Sequence, residues 1–510
     1  MHDQSISAMT RTMGWQDRLK RWLSFFERII DSFFDPQVEH HVRWVTWVWI
    51  AVLLLVGIFF WGKFLNWGKI PFDYHDWAEI NAARIEFVRN ALRSGQFPLH
   101  MSEIGHLRNL TDRYLSIPDA ISSPQMVLLL FLQTGPFIYI NTLILYVVGL
   151  IGLLKFRKRY SFSLAAFSWL FLLFNFNGYL TSHFGVGHVT WWGYFLLPWF
   201  FLLIFDALER EPGWRWVTGM AFILFLIFLQ GSHHMFTWLL IFLGLFGLTS
   251  WKRLWLVIKA GAAAILISMV RILPPILLLD KFDTDFLGGY ASIQEFLFAM
   301  ITLKPASQSL PISGMAGSSP LGWWEFDIYV GLIGAIFILY FGVFSWMKDR
   351  DDYPQFQPLF LPVFTLFILS IGDFYNFVRM LPIPLLYGER VSSRMVIIPF
   401  TIVLFIAVIY FQRALKSDRL SRVLRVVTVV LMSVTVYDLW QHLRLWRVTT
   451  AVNAFPFTAV DLSIKVPANH PDAPYVQLIA IGALISLVTG IFLINRTLNE
   501  HRKQSSKIVI

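Results

Sequence analysis

Long apolar segments alternate with shorter polar ones along most of this chain. About twelve segments are candidates for membrane-spanning helices, each of which needs roughly 20 mainly apolar residues. They lie at residues 42–62, 126–154, 161–179, 189–207, 215–231, 234–250, 254–279, 328–346, 357–372, 395–411, 422–440 and 476–494. The 126–154 segment contains Gly135-Pro136, which leaves a kink or a re-entrant helix open. The pattern predicts an all-α polytopic membrane protein with about 12 transmembrane helices.

The polar ends of the chain suggest its division into domains. Within 13–34, apolar residues recur at steps of three and four, with basic residues on the other faces. We therefore predict that 1–41 is a cytoplasmic segment with an amphipathic interfacial helix, and a helix that binds a membrane-protein partner is the alternative. The transmembrane domain would span 42–494, with external loops at 63–124, 280–327 and 373–394. Residues 495–510 would form a basic cytoplasmic tail.

The distribution of charge predicts the orientation. Lys and Arg are concentrated in alternate loops and in the tail, so the positive-inside rule places both termini in the cytoplasm. The net charge of +10 is spread over many short loops, which fits contact with anionic lipid headgroups and argues against a nucleic-acid partner. The chain has no cysteine, which excludes disulfides and thiolate chemistry. It also lacks a recognisable cleavable signal, and both features suit a prokaryotic plasma (inner) membrane.

The first external loop begins with a predicted helix. Its apolar stripe consists of Ile80, Ala83, Phe87, Val88 and Ala91. Asp76 and Glu79 have the spacing of a capping box at its start, while Gly95 and Pro98 mark its end. We expect this amphipathic helix to lie on the outer membrane surface.

Titratable residues collect at predicted membrane edges, where polar groups are costly and often functional. Asp73 has no capping role, although a turn aspartate is an alternative. His183 and His188 are five residues apart, so one helical face would not present both. A loop could bring them together for metal or substrate contact, and hydrogen-bonded structural histidines are the other interpretation. His233 and His234 lie at another outer helix end.

The segment Asp73-Tyr-His-Asp-Trp-Ala-Glu-Ile80 resembles the first external loop of polytopic GT-C glycosyltransferases of the prokaryotic type. Their pattern is roughly D-E-x-x-Y-A-x-I. Asp73 falls on the catalytic aspartate and Trp77 on the aromatic position, but Tyr74 stands where the family has Glu. The stretches 177–188, 323–331 and 388–394 also look like parts of such proteins.

The resemblance implies a GT-C-like fold and transfer of a sugar from a polyprenyl-phosphate donor on the extracytoplasmic side. It implies Asp73 as general base, with Asp76 as a helper. Residues expected to contact substrate are Glu79, His183, His188, Arg271, Arg390 and Arg394. Metal dependence is left open, with Mg²⁺ or Mn²⁺ as candidate cofactors and Asp76, His183 and His188 as candidate ligands.

The arginines have alternative roles. Arg390 and Arg394 would lie one turn apart and could clamp a phosphate, or they could anchor a loop to lipid headgroups. Arg271 lies within a predicted span, so it should face the bundle interior and either pair with a carboxylate or reach the lipid phosphate.

Other carboxylates have simpler interpretations. Ser292 and Glu295 have the spacing of a capping box, and Glu325 and Asp327 are interpreted first as carboxylates at a helix end.

Other classes of function stay open, among them an external acyltransferase or polymer ligase that uses His183 or His188. Two classes have a more specific basis. One is a transporter or flippase for a lipid-linked or anionic substrate, although transporters usually bind near the bilayer midplane. The other is a non-catalytic GT-C-like subunit of a membrane complex, which the missing Glu at position 74 would fit.

Overall fold

A computed structural model describes residues 27–39, 43–282, 285–307, 309–310, 321–381, 389–415, 422–467 and 471–508. The chain is mostly helical within these ranges. The α-helices of seven residues or more are α1 Arg43–Phe64, α2 Ala82–Arg93, α3 Thr134–Tyr160, α4 Leu164–Asn175, α5 Gly178–Gly185, α6 Leu197–Glu209, α7 Trp214–Leu229, α8 His233–Gly247, α9 Trp251–Ile267, α10 Ile293–Ile301, α11 Gly331–Phe337, α12 Phe360–Leu369, α13 Gly372–Val378, α14 Ile397–Leu415, α15 Arg422–Trp446 and α16 Ala473–Ile508. A two-residue pair, β1 Ser309–Leu310 and β2 Leu321–Gly322, is antiparallel.

All twelve predicted apolar segments contain helix. In the described part of the chain, eight helices are long and apolar enough to cross a membrane. They are Arg43–Phe64, Thr134–Tyr160, Leu164–Gly185, Val189–Glu209, Gly331–Lys348, Ser392–Leu415, Arg425–Trp446 and Ala473–Lys503. A ninth candidate, Trp251–Ile267 with Met269–Leu278, is bent by 58°. The remaining three segments form shorter apolar helices at Trp214–Leu229, His233–Gly247 and Pro354–Leu369.

Two helix boundaries differ from those predicted. Helix α3 begins at Thr134, after a 3-10 segment at Pro124–Leu130, so Gly135-Pro136 lies in its first turn. Proline is favoured there because its missing N–H has no intrahelical partner anyway, and the pair starts the helix instead of bending it. Helix α16 continues from the last span into the predicted tail. Most of the predicted interfacial helix at 13–34 lies outside the described residues.

The first-loop helix lies inside the protein, so the prediction that it rests on the membrane surface is wrong. A π-helical turn, Trp77–Asn81, leads into α2, and residues on several faces of α2 are buried. Even Arg84, off the apolar stripe, is 2% exposed because it forms an ion pair with Asp119. The predicted end is confirmed, since Gly95 has a φ of +70°, a conformation that favours glycine.

The second and third external loops run beside each other. Single β-bridges join Gly288 to Val391 and Tyr290 to Ile371. The Ser292 half of the capping box before α10 is confirmed, because the Ser292 hydroxyl accepts from the Glu295 N–H. The Glu295 carboxylate accepts from the Ala291 N–H, one residue before the N-cap, whereas a capping box uses the N–H of the N-cap itself. These contacts bring the start of the Ser392–Leu415 span close to residues 323–327, where the candidate site begins.

Candidate functional site

Asp76 is held by a histidine and not by the helix that it precedes. Its side chain makes no capping hydrogen bond, so the capping-box interpretation of Asp76 is wrong. Asp76 Oδ2 lies 2.9 Å from Nε2 of His188, and Oδ1 lies 3.6 Å from Nδ1 of His75. Asp76 therefore points away from its own helix toward the segment 185–188.

Three first-loop side chains hold that segment by consecutive backbone carbonyls. Tyr74 Oη donates to the Gly185 carbonyl (2.6 Å), His75 Nδ1 to that of Val186 (3.2 Å) and Asn81 Nδ2 to that of Gly187 (2.8 Å). Gly187 has a φ of +101°, and a Cβ there would lie 2.6 Å from the backbone nitrogen of Trp77. Only glycine permits this approach. Tyr74, the departure from the family pattern, thus anchors the opposite loop.

The two predicted histidines meet, as a loop conformation allows. His183 lies at the end of α5 and His188 follows the turn, with their Nδ1 atoms 2.8 Å apart. His188 therefore uses one ring nitrogen for His183 and the other for Asp76. His183 is fully buried, and within the described residues its Nε2 has no hydrogen-bond partner. The result is a chain of three titratable groups that runs from Asp76 inward.

Asp76 and His188 open onto a small polar cavity of about 60 Å³. The described residues that line it are Asp76, Ile80, Asn81, Arg108, Asp119, His188, Thr190, Trp191, His233, His234 and Arg394. This volume accommodates a few water molecules. A phosphate or sugar can reach these groups only at the cavity mouth or after local opening.

Ion pairs surround the cavity. Arg394 makes two bonds to the Glu325 carboxylate, from Nε (2.5 Å) and Nη2 (2.6 Å). Nδ1 of His234 lies 2.8 Å from Glu389 Oε2. Fork geometry of the Arg394 type gives strong, directional binding of a carboxylate or a phosphate.

A third carboxylate, Asp119, lies between two arginines. Arg84 Nη1 donates to Oδ1 (3.0 Å) and Arg108 Nη2 to Oδ2 (2.6 Å). Arg271 fixes the turn that carries Asp119, because its guanidinium donates to the carbonyls of Leu115, Ile117, Pro118 and Ala120 at 2.9–3.3 Å.

The charges around the cavity keep its acids ionised. Burial by itself would raise the pKa of Asp76, but the charge and hydrogen bond of His188 outweigh it and hold that pKa well below its usual range. At Asp119, burial is likewise outweighed, first by Arg108 and then by Arg84, and the pKa is lowered. For Glu389, burial is outweighed by His234, and the pKa falls to about 2. The acids are therefore carboxylates near neutral pH.

Several predicted residues lie elsewhere. Asp73 is not among the residues that line the cavity, and its Oδ1 is buried without a hydrogen bond to the described residues. Its backbone carbonyl accepts from the Thr458 N–H (2.7 Å). Glu79 is exposed, and its carbonyl is 2.8 Å from His106 Nδ1.

The predicted arginines separate into different roles. Arg271 is 1% exposed, as expected for a residue inside the bundle, but it binds backbone carbonyls and not a carboxylate. Arg390 contributes its backbone carbonyl to the N–H of Leu287 (2.8 Å), whereas Arg394 lines the cavity. The described geometry therefore gives the two predicted clamp arginines different surroundings.

Four charged site residues were missing from the predicted set, namely Arg108, Asp119, Glu325 and Glu389. Arg108 and Asp119 belong to irregular turns of the first loop, where no periodic pattern distinguishes a buried charge from a solvated one. Glu325 follows two tryptophans and was interpreted as a helix-end carboxylate. The role of Glu325 in the site follows only from its ion pair with Arg394, which is 69 residues away in the sequence.

One group of side chains could hold a metal ion in the described part of the chain. The ligand atoms of His75, Asp76 and His188 all lie within 4.8 Å of one another, and His183 is not part of the group. Mg²⁺ prefers oxygen ligands in a regular octahedron, and two imidazoles do not suit it. Mn²⁺ accepts imidazole together with carboxylate, so it fits this set better. An ion would have to replace the hydrogen bond between Asp76 and His188.

We compared the chain with models of protein families, with curated proteins and with solved structures, and none of them matches it. A function therefore has to be inferred from the residues and their geometry.

Proposed function

We propose that this protein is a membrane glycosyltransferase of GT-C type that transfers a sugar from a polyprenyl-phosphate donor to an acceptor on the extracytoplasmic side. The observation that carries the proposal is a polar cavity and an apolar groove that share the Ser392–Leu415 span, with Arg394 lining the cavity and Val396 lining the groove. The cavity offers an ionised carboxylate, Asp76, and an arginine fork, Arg394. The first-loop resemblance that begins at Asp73 supports the same class of enzyme.

The groove suits the apolar part of such a donor. It encloses about 410 Å³ between α10, the Gly331–Lys348 span, α12 and α14, and its lining includes Phe296, Met300, Val343, Phe364, Val396 and Phe400. Val396 follows Arg394 by two residues in the 3-10 segment Ser392–Val396, which is roughly 4 Å along the helix axis. A molecule with a charged head and an apolar tail would find both surfaces on one span, and each buried CH₂ of the tail would contribute about 0.8 kcal/mol.

The chemistry needs a base on one side of the sugar and positive charge on the other. In our proposal Asp76 accepts the proton of the acceptor hydroxyl or amide while the acceptor atom bonds to the anomeric carbon. The bond between that carbon and the phosphate oxygen breaks, and its electron pair leaves with the polyprenyl phosphate. Arg394 stabilises the charge on the leaving phosphate. His188 orients Asp76 and keeps it ionised.

The cofactor enters this proposal as Mn²⁺ rather than Mg²⁺. His75, Asp76 and His188 would hold it. The bound ion would then replace the hydrogen bond from His188 in keeping Asp76 ionised, and it would supply positive charge to the phosphate.

The test is release of polyprenyl phosphate from a panel of polyprenyl-phosphate sugars by the full-length protein in lipid nanodiscs. Wild type is compared with Asp76→Asn, Asp73→Asn and the control Asp461→Asn, an exposed carboxylate before α16. Each is assayed with EDTA, Mn²⁺ or Mg²⁺. We expect turnover that Asp76→Asn abolishes and Asp461→Asn preserves. Full activity in Asp76→Asn would reject Asp76 as the base, and loss in Asp73→Asn alone would restore the assignment that the resemblance implies.

A non-catalytic subunit is the second candidate. It is favoured by the pairing of the described charges, since Asp76, Asp119, Glu325 and Glu389 all have a basic partner within the chain. Such a protein would release no polyprenyl phosphate from any donor while remaining folded.

A further inference from the structure

A second polar cluster, away from the cavity, is sealed from solvent. His442 Nε2 lies 2.9 Å from Asp327 Oδ2, and its Nδ1 lies 3.0 Å from Thr181 Oγ1. All three residues are 0% exposed. They come from α15, from the turn before α11 and from α5. Both ring nitrogens have partners, so the orientation of the imidazole is fixed.

The turn that carries Asp327 is bound directly to the start of α5. Asp327 Oδ1 accepts from the Tyr329 N–H (2.9 Å), and the Gly178 N–H donates to the Tyr329 carbonyl (2.7 Å). A Cβ at Gly178 would lie 1.9 Å from Asp327 Oδ1. Because only glycine leaves room for the carboxylate, the packing sets the position of the turn.

Both ends of this cluster are two residues from the candidate site. Asp327 follows Glu325, and its N–H donates to the Trp323 carbonyl (2.9 Å) across the short turn. The Glu325 carboxylate holds Arg394, and the Glu325 carbonyl accepts from the Ser393 hydroxyl (2.6 Å). On the other side, Thr181 precedes His183 on α5. A displacement of the cluster would therefore move the fork at the cavity wall.

We infer that His442 is a positioning residue for the candidate site. By joining Asp327 to Thr181, it holds the turn 323–327 against α5, and through Glu325 it sets the position of Arg394. None of the described residues of α15 lines the cavity, so His442 acts at a distance. Only the kinetic test of this inference depends on the proposed function.

The first experiment needs no activity. The natural chain has no cysteine, so Ser393→Cys gives a single, nearly isosteric probe at a fully buried position beside Arg394. Ser168→Cys provides a matched buried control on α4. The rate of maleimide labelling is measured for each probe with His442 intact, with His442→Ala and with His442→Gln. Glutamine retains one donor and one acceptor.

We expect His442→Ala to raise the labelling rate at position 393 about tenfold, since local opening exposes it, with little change at position 168. His442→Gln should restore most of the protection. Unchanged labelling at position 393 would contradict the inference. An equal rise at positions 393 and 168 would also contradict it, because it would mean that the whole bundle is loosened. If His442→Ala does not fold, Thr181→Val is used instead. It removes one hydrogen bond of the cluster, and its labelling rates at positions 393 and 168 are interpreted in the same way.

The kinetic test separates positioning from loss of folded protein. Misfolding lowers the active fraction and hence kcat, without changing KM. A displaced Arg394 should instead raise KM for the polyprenyl-phosphate donor about tenfold and leave the acceptor KM unchanged. His442→Gln should restore the donor KM. If labelling behaves as expected and no donor is turned over, the proposed function fails while the positioning role stands.

Discussion

Two aspartate–histidine pairs of equal length occur in this protein, and burial distinguishes them. Asp76 and His188 are 2.9 Å apart, with side chains 22% and 11% exposed. Asp327 and His442 are also 2.9 Å apart, with both side chains 0% exposed. The first pair lines a cavity and can meet a substrate, whereas the second is sealed by packing. An aspartate–histidine hydrogen bond of the same length can therefore belong to a candidate reactive site in one place and stabilise the packing of helices in another.

The largest expected effect concerns the accessible pair. Asp76→Asn keeps the shape of the side chain but removes the base, so turnover should fall by about 10²- to 10⁴-fold. The thermal unfolding midpoint should change little. Polyprenyl phosphate release and differential scanning fluorimetry on the same preparation measure both quantities. A large drop in the midpoint would make Asp76 structural and remove the contrast between the two pairs.

For the sealed pair, Asp327 and His442, substitution should change the stability of the protein most. Asp327→Ala leaves Nε2 of His442 and the Tyr329 N–H unpaired in the interior, and we expect a loss of about 3–5 kcal/mol in the free energy of unfolding. Denaturant or thermal unfolding in detergent measures it. Asp438→Ala, one turn before His442 on a half-buried face of α15, is the matched control and should cost less than about 1 kcal/mol. Equal effects of the two variants would contradict the structural role of Asp327.

A smaller effect should come from the arginine fork. Arg394→Lys keeps the charge but cannot donate two parallel bonds to Glu325, so donor KM should rise about tenfold with little change in stability. Arg390→Lys is the comparison, because Arg390 was predicted as the second half of the clamp. Steady-state kinetics with varied donor distinguish the two. A larger increase in donor KM for Arg390→Lys would move the phosphate contact to the third external loop.

The smallest effect is expected in the pH dependence of the stability that Asp119 contributes. It distinguishes an Asp119 held ionised by arginines from one held by a histidine. The folded pKa of Asp119 is lowered by Arg108 and Arg84 against the effect of burial. A lowered carboxylate pKa adds stability above the unfolded value of about 4 and loses it as pH falls through the folded value. The difference in unfolding free energy between wild type and Asp119→Asn should thus stay within about 0.5 kcal/mol from pH 8 to pH 5. A steep change in that window would show that a neighbouring histidine controls the pair.

Sequence reasoning was most successful where a local pattern suffices. Each predicted apolar segment contains helix, and Ser292 caps the start of α10 through the Glu295 N–H as expected. The same motif at Asp76–Glu79 failed. There the nearby His188 offers Asp76 a stronger, charge-assisted partner than a backbone N–H, and the first turn becomes π-helical instead.

The candidate site was predicted only in part. Asp76, His183, His188 and Arg394 were selected because titratable groups at a membrane edge are unusual. Arg108, Asp119 and Glu389 were not, since nothing in their local sequence indicates burial. His442 was also missed, although a histidine at the end of an apolar helix is a usable signal. The prediction that the first-loop helix lies on the membrane surface was wrong. Periodicity assigns Arg84 to the outside of that helix, but an ion pair allows Arg84 to be buried.

The sequence by itself determined an all-α chain with many apolar helices, because hydrophobic length and backbone hydrogen bonding in an apolar medium leave few alternatives. It also indicated Asp76, His183, His188 and Arg394 as candidate site residues. Only the tertiary structure decided which of them meet, since Asp76 and His188 are separated by 112 positions and Asp327 and His442 by 115. Tertiary packing also decided which pair stays accessible. Burial depends on neighbouring elements far away in the chain, and no local pattern records it.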